Sequence, residues 1–255
     1  MLILLSPSKT IHTNAAAAVV SSLTIPLFAS QAQALAHEMS GYLPSELAEL
    51  LKVQPSIAAQ AHQWFQVFCS ADTPNISAID AYHGIVFQYL DAPSLPNIAK
   101  QRLIERLRIT SFLYGYLRPS DAIHPYRMEG HVRTQVGNGQ TIFDYWKGWL
   151  TDRLIKDVNE QGGILLFLAS EEMKKLFDWK RVTASVQVIQ PTFLTNKNGK
   201  EKQIVVYTKM MRGKLCRHAL LRNWKGSEKE MQQFANEEEA ALRKGNKKGE
   251  YTFVF

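Results

Sequence analysis

Cysteine is nearly absent from this chain: Cys69 and Cys216 are the two in 255 residues, and neither has neighbours at metal-ligand spacing. At most one disulfide can form, which excludes a disulfide-stapled secreted scaffold and fits a reducing cytoplasm where both stay thiols. Long apolar runs are missing as well. Leu2–Leu5 and 164–169 are far too short to span a bilayer, so no membrane partner is expected. The first five residues lack the basic start and extended apolar stretch of a secretion signal, which again points to the cytoplasm. His83, His124, His131 and Cys216 show no ligand spacing, so neither a metal site nor a cofactor is expected. No internal repeat and no long linker divides the chain, which reads as a single domain over 1–255.

Acid is also in short supply, with 23 Asp and Glu against 30 Lys and Arg, a formal net charge of +7 and a pI near 9.3. The excess is uneven. Lys197, Lys200, Lys202, Lys209, Arg212, Lys214, Arg217, Arg222 and Lys225 face only Glu201 within their interval. A local basic field of this kind favours polyanions by attraction and counterion release, although a solvated basic face would have the same composition. Hydrophobic residues make up 45% of the chain, ample for a buried core.

What is plentiful is chemistry between Arg108 and Arg133, which reads RITSFLYGYLRPSDAIHPYRMEGHVR. Ile109 to Leu113 suits a sheet, and Gly115 with Arg118-Pro119 is expected to take the chain out of it, carrying Tyr114, Tyr116 and Arg118 along. Pro125-Tyr126-Arg127 makes a second extended excursion, and Arg127 and Glu129 share a face if that segment is extended. Arginine captures phosphate or carboxylate with two parallel hydrogen bonds, and tyrosine offers a flat face to a base or sugar. The plain alternative is a structural Tyr/Arg loop in which Glu129 merely pairs an arginine.

Elsewhere the pattern alternates short apolar runs with amphipathic segments, as in a mixed α/β (α+β) fold with a central mixed β-sheet flanked by helices. Leu2–Leu5 reads as a strand covered on both faces and delivers Ser6 and Lys9 to its carboxyl end. Helices are expected from about Ser30 to Met39 and in a helical hairpin at about 45–68, with Ser45 and Ser56 as caps. This hairpin resembles a helix-hairpin-helix, but Gln54-Pro55-Ser56 stands where its glycines would be. A helix is expected over Asn75–Tyr82 and another over Asn97–Leu107. Thr141 and Asp144 cap a helix through Trp146, Leu150, Leu154 and Val158, ended by Gly162-Gly163. The apolar run that follows, from Ile164, brings Ser170 to a strand end. Gln187–Leu194 and Gln203–Thr208 read as strands joined through the Asn198-Gly199 turn, which places Lys209 and Arg212 just past the second.

The segment LYGYLRPSDAIHPYRME resembles the signature of the YaaA family of bacterial peroxide-stress proteins, and the amino-terminal MLILLSPSKT resembles that family's opening. Further matches follow in order at Gly84, Ile142–Gly148, Leu168–Ser170 and Phe193–Gly213, covering most of the chain to about Arg222. The resemblance implies a cytoplasmic protein that protects against hydrogen peroxide by limiting free iron, and that binds DNA through a basic cleft and a helix-hairpin-helix. Departures from the family pattern fall at Phe87, Phe112, Gly130, Phe167, Met173 and Met210, and at Glu237-Glu238-Glu239.

The residues that carry chemistry are therefore Ser6, Lys9, Tyr114, Arg118, Tyr126, Arg127, Glu129, Ser170, Lys209 and Arg212, expected to converge on one cationic cleft with one acid. Such a site suits either of two classes. A binding module would track DNA phosphates with little sequence preference, Arg118 and Arg127 clamping and the tyrosines stacking. An enzyme would hold a nucleotide-like or other anionic small molecule while Glu129 or Lys9 served as acid or base. Oligomeric state is not legible in these residues.

Overall fold

The structure is a computed structural model that describes residues 1–12, 18–68, 76–246 and 248–255. Cys69 and Asn75 lie outside the described residues. The chain opens with β1 (Leu2–Leu5), then α1 (Ala29–Ser40), α2 (Pro44–Leu51), α3 (Pro55–Phe68), β2 (Ile76–Ser77), α4 (Ala78–Ala81), α5 (Ile85–Leu90) and α6 (Asn97–Arg106). Next come β3 (Leu107–Ser111), β4 (Gly115–Leu117), β5 (Ala122–Ile123), α7 (Ile142–Glu160), β6 (Ile164–Phe167), a 3-10 turn at Glu171–Leu176 and α8 (Trp179–Ser185). The last part holds β7 (Gln187–Lys197), β8 (Lys200–Lys202), α9 (Val205–Leu221), α10 (Glu228–Glu237), β9 (Ala241–Lys244) and β10 (Glu250–Val254).

An eight-stranded mixed sheet organises these elements in the order β4-β3-β1-β6-β7-β10-β9, with β8 paired to β7. Its middle is parallel: β1 pairs with β3 and β6, β6 with β7, and β7 with β10, while β4, β8 and β9 run antiparallel to their neighbours. Every residue of β1 and β3 is buried, so both faces of these strands are covered, as continuous apolar strands require. From β1 the chain passes to β3 on one side, whereas from β6, the other neighbour of β1, it passes to β7 on the opposite side. The β1–β6 boundary is thus a topological switch point, where loops diverge and leave a crevice. No described helix is long and apolar enough to cross a membrane.

Several local expectations are corrected. The chain does not leave the sheet at Gly115. It turns back after Ser111, and β4 pairs antiparallel with β3 in the register Ser111↔Gly115 and Ile109↔Leu117. Gly115 takes φ +70°, and a Cβ there would lie 2.7 Å from the Trp146 ring, so glycine serves the turn rather than ending the strand. The run from Gln203 to Thr208 is not a strand. Its apolar residues Ile204, Val205 and Val206 are exposed, while Thr208, Met211, Leu215 and Ala219 are buried at helical spacing in α9, so tertiary packing overrides β-propensity. The hairpin at Asn198-Gly199 does form, with Lys197↔Lys200 closing it.

The helical hairpin is present, but Ser45 and Ser56 do not cap it. Each helix starts one residue earlier, on Pro44 and Pro55, whose fixed φ suits the first turn, and the Glu46 carboxylate accepts from the Leu43 amide at 2.7 Å. Lys52, at φ 53°, makes the turn that a glycine would otherwise make. The segment expected as a helix before Tyr82 is instead a short strand, β2, followed by the single-turn α4, with Ser77 accepting from the Asp80 amide. Pairing of Ile76 with Ile123 explains the strand.

Beneath the sheet edge Asp157 of α7 is almost fully buried and gathers three partners, two as hydrogen-bond donors and Arg153 as an ion pair. Arg108 Nε lies at 3.2 Å, Arg153 Nε at 2.7 Å, and Tyr116 donates its hydroxyl at 3.2 Å. Arg108 also donates to the Leu107 and Glu105 carbonyls, so its guanidinium is committed to the fold. Breaking a buried pair from one side leaves an unpaired charge, at a cost of about 3–5 kcal/mol. Asp157→Ala should therefore lower the unfolding free energy by about that amount in urea titration, and a loss below about 1 kcal/mol would show that the cluster is not what holds α7 to the sheet.

Candidate functional site

The segment that follows β1 and the one that follows β6 meet at the switch point. Leu4 is in register with Phe167, and just past that pair the Ser170 amide donates to Ser6 Oγ at 2.8 Å, with the two hydroxyl oxygens 3.4 Å apart. Beside this contact opens a cavity of about 450 Å³. Its walls come from five places: the loop after β1 (Ser6, Ser8, Lys9), the start of α5 (Ile85, Phe87), the turn after β3 (Phe112), the loop 126–128, and the region of Ser170 with α9.

Lys209 and Arg212 reach it from the first turns of α9, three residues apart on one helix face, and not from a strand end as expected. The approach of α9 to α5 depends on Gly213. A Cβ there would sit 2.3 Å from the Val86 carbonyl oxygen and 3.0 Å from the Leu90 nitrogen, atoms that cannot give way cheaply. Arg212 is half-buried and has no ion-pair partner among the described residues. Burial pulls its guanidinium below the ordinary arginine range, opposed by the charge of Glu171, yet it remains charged at neutral pH.

Across the cavity Arg127 and Glu129 form an ion pair at 2.6 Å with side chains 14% and 12% exposed. Lys9 meets the same carboxylate at 3.1 Å from the rim, where it is 69% exposed. Arg127 Nε is buried with no hydrogen-bond partner of its own. Glu129 thus orients both cations across a sequence separation of 120 residues, and the rest of the Arg127 guanidinium is left for something else.

Tyr126 contributes its ring. Its hydroxyl is turned into a buried chain, 2.7 Å from Ser111 Oγ and 2.8 Å from the Tyr82 hydroxyl, and burial pushes its pKa up to about 12. Tyr114 and Arg118 are elsewhere. Tyr114 is a core residue whose hydroxyl accepts from the His124 amide at 2.9 Å, and its titration is raised by burial. Arg118 grips the fully buried Asp121 at 2.7 Å and donates to the Ile25 carbonyl at 2.6 Å, so it anchors the loop and does not line the cavity. Three residues on, Asp121 was visible in sequence only as a turn former; the i, i+3 spacing to Arg118 was the signal for the pair.

Sequence reasoning also missed Ile85, Phe87, Met128 and Glu172, all of which line the cavity. Three are apolar and carry no chemical signature; Phe87 was marked only as a departure from the family pattern, and Ile85 and Met128 could be found from the topology alone. Glu172 was read as a charge at a helix start, and the six-residue 3-10 turn that follows Ser170 puts it on the rim instead. The cysteine and histidines are accounted for by packing. Cys216 is a buried free thiol whose pKa burial raises, His83 stacks on His12 at 3.9 Å, and His124 packs edge-on against Phe68. Among the described residues no three His, Cys, Asp or Glu are grouped to hold a metal ion.

Residues 1–242 match the family model described as "Peroxide stress protein YaaA". The chain belongs to the YaaA family. A UPF0246 protein of Bacteroides fragilis is 44% identical over 235 residues, covering 92% of this chain and 91% of the relative. One from Porphyromonas gingivalis is 44% identical over 238 residues, 93% of each chain, and one from Phocaeicola vulgatus is 47% identical over 192 residues, 75% of each. The YaaA match spans all the cavity residues, from Ser6 to Arg212.

The two halves of the Arg127–Glu129 pair can be separated by substitution. Lys9 continues to neutralise Glu129 when Arg127 is lost, so Arg127→Ala should cost only about 1–2 kcal/mol of stability, well short of the several expected for a stranded buried acid. Arg127→Lys should leave the thermal midpoint nearly unchanged while weakening anion binding by about 1–3 kcal/mol, because an ammonium cannot reproduce the fork. Melting and phosphate titration of both variants test this; a large stability loss with unaltered binding would make the pair purely structural.

Proposed function

We propose that this YaaA-family protein serves resistance to peroxide stress by holding the phosphate of a nucleotide, free or carried by a DNA strand, in the cavity at the ends of β1, β3 and β6. The observation that carries this reading is Arg212, a half-buried guanidinium that faces the cavity with no acid paired to it among the described residues. Leaving a charge under-compensated inside a protein is costly, and a bound anion would remove the cost. Lys209, Arg127 and the Ser6 and Ser170 hydroxyls lie around the same space and supply further donors.

The DNA arm has its own support. Among the described residues Lys197, Lys200, Lys202 and Lys209 have no ion-pair partner, and they lead along the β7–β8 hairpin and α9 towards the cavity, where they could follow a phosphate backbone without reading bases. Other basic residues of that interval are spent within the fold: Lys214 on Glu238, Arg222 on Glu237, and Arg217 on the Leu90 and Asp91 carbonyls. In the helical hairpin the Lys52 and Val53 amides donate back into α2 and Pro55 has none, which favours the lysine track over the hairpin as the phosphate contact. A binding role is preferred to catalysis by Glu129 because two cations already engage its carboxylate. Any effect on free iron would then follow from what the protein binds, acting in the cytoplasm.

Labelled oligonucleotides and a nucleoside monophosphate, titrated by fluorescence anisotropy and calorimetry, test the proposal. Oligonucleotides of equal length and different sequence should bind alike, with affinity falling steeply as salt rises. Arg212→Gln should weaken mononucleotide binding at least tenfold and leave the thermal midpoint unchanged or higher. If neither DNA nor mononucleotide binds at low salt, or Arg212→Gln changes nothing, the proposal fails. In cells lacking their own copy, the Arg212→Gln gene should restore less survival in hydrogen peroxide than the unaltered gene.

A further inference from the structure

The cavity is divided by polarity. Its floor is made of Phe87, Phe112, Met128, Leu168 and Met173, each less than 7% exposed. Tyr126 adds only its ring there, since its hydroxyl is satisfied by Ser111 and Tyr82. A polar group pushed against this floor would lose its water and gain no hydrogen bond, whereas an apolar ring would gain contact. Above the floor stand Ser6, Ser170, Arg127 and Arg212, with Lys9 and Lys209 at the rim.

Charge narrows the choice further. Four cations line the cavity, Lys9, Arg127, Lys209 and Arg212; against them stand Glu172 on the rim and Glu129 behind Lys9 and Arg127, a surplus of two positive charges. Glu171 also acts on Arg212, but its charge is balanced by Lys174 at 2.8 Å, so the surplus stands. A phosphate monoester carries about −1.5 to −2 at neutral pH, while a phosphodiester or a carboxylate carries one charge.

We infer that the cavity takes a phosphate monoester joined to an aromatic ring system, the ring against Phe112 and Met173 and the phosphate at Arg127 and Arg212. This rests on the anion-binding reading above and specifies it: the nucleic-acid forms that qualify are a mononucleotide or a terminally phosphorylated strand, not an internal diester. The floor has no polar group to discriminate one base from another, so base identity matters little.

Phe112 is one of the two phenylalanines of the floor, and its position is supported from behind. Its ring meets Phe143 edge-on, centroids 5.5 Å apart at 89°. Phe143 in turn occupies the space over Gly130, where a Cβ would fall 2.2 Å from the ring, and the Lys175 ammonium lies 5.3 Å from the Phe143 centroid.

Calorimetric titration with three probes tests the inference on the unaltered protein. Phenyl phosphate should bind at least tenfold more tightly than inorganic phosphate, which lacks the ring, and than methyl phenyl phosphate, which keeps the ring and loses a charge. Phe112→Leu should reduce the advantage of phenyl phosphate and leave inorganic phosphate unchanged. A nucleoside monophosphate and a 5′-phosphorylated oligonucleotide should each displace phenyl phosphate, and the relative strength of the two identifies the source; the unphosphorylated oligonucleotide should not. Equal binding of inorganic phosphate and phenyl phosphate, equal binding of the diester, or displacement by the unphosphorylated strand would overturn the inference while leaving anion binding in place. If none of the three probes binds, the anion-binding reading itself falls, and this one with it.

Discussion

The parallel pairing of β1 with β3 on one side and β6 on the other is the constraint on which the remainder depends. It forces three carboxyl ends to one edge, and because the chain continues in opposite directions from β1 and β6, the segments beyond them separate and leave a space between. The Ser170 amide bound to Ser6 Oγ ties the two segments together at the mouth of that space. The groups placed there come from separate segments of the chain spread from Ser6 to Arg212, so the site exists only in the finished fold. Its rigidity comes from β1 and β3, buried throughout, rather than from the loops that carry the polar groups.

Arginine plays three physically different parts in this protein, and the partner distinguishes them. Arg108 is saturated by Asp157 and two carbonyls and belongs to the core. Arg118 is saturated by Asp121 and the Ile25 carbonyl and fixes a loop. Arg127 is half-committed, to Glu129, and Arg212 is not committed at all among the described residues. A guanidinium with five donors and no ion-paired acid among the described residues is an unusual thing to hold inside a fold, and only the last two face the cavity.

Much of the architecture was legible in the sequence because it rests on periodicity. The continuous apolar runs of β1 and β6 and the 3.6-residue spacing of Trp146, Leu150, Leu154 and Val158 each specify one kind of element. The site was legible to the extent that its polar residues follow apolar strands, as Ser6, Lys9 and Ser170 do. Two things hid the rest. Ile204-Val205-Val206-Tyr207 has strand composition, and only contact with α5 and the sheet makes it a helix, which moved Lys209 and Arg212 to a helix face. Tyr114, Tyr116 and Arg118 look like site residues in composition, and only the tight β3–β4 return, through Gly115, turns them inward. Two departures from the family pattern, Phe112 and Gly130, also acquire a reason together, since both contact the ring of Phe143.

The central claim is that Arg212 is free because an anion belongs beside it. A crystal structure of the protein grown with a nucleoside monophosphate tests that most directly. The phosphate should lie within hydrogen-bond distance of the Arg212 and Arg127 guanidinium groups, below Lys9, with the base against Phe112. A ligand found outside the cavity, or Arg212 turned onto Glu171 or Glu172 with the phosphate elsewhere, would contradict the account.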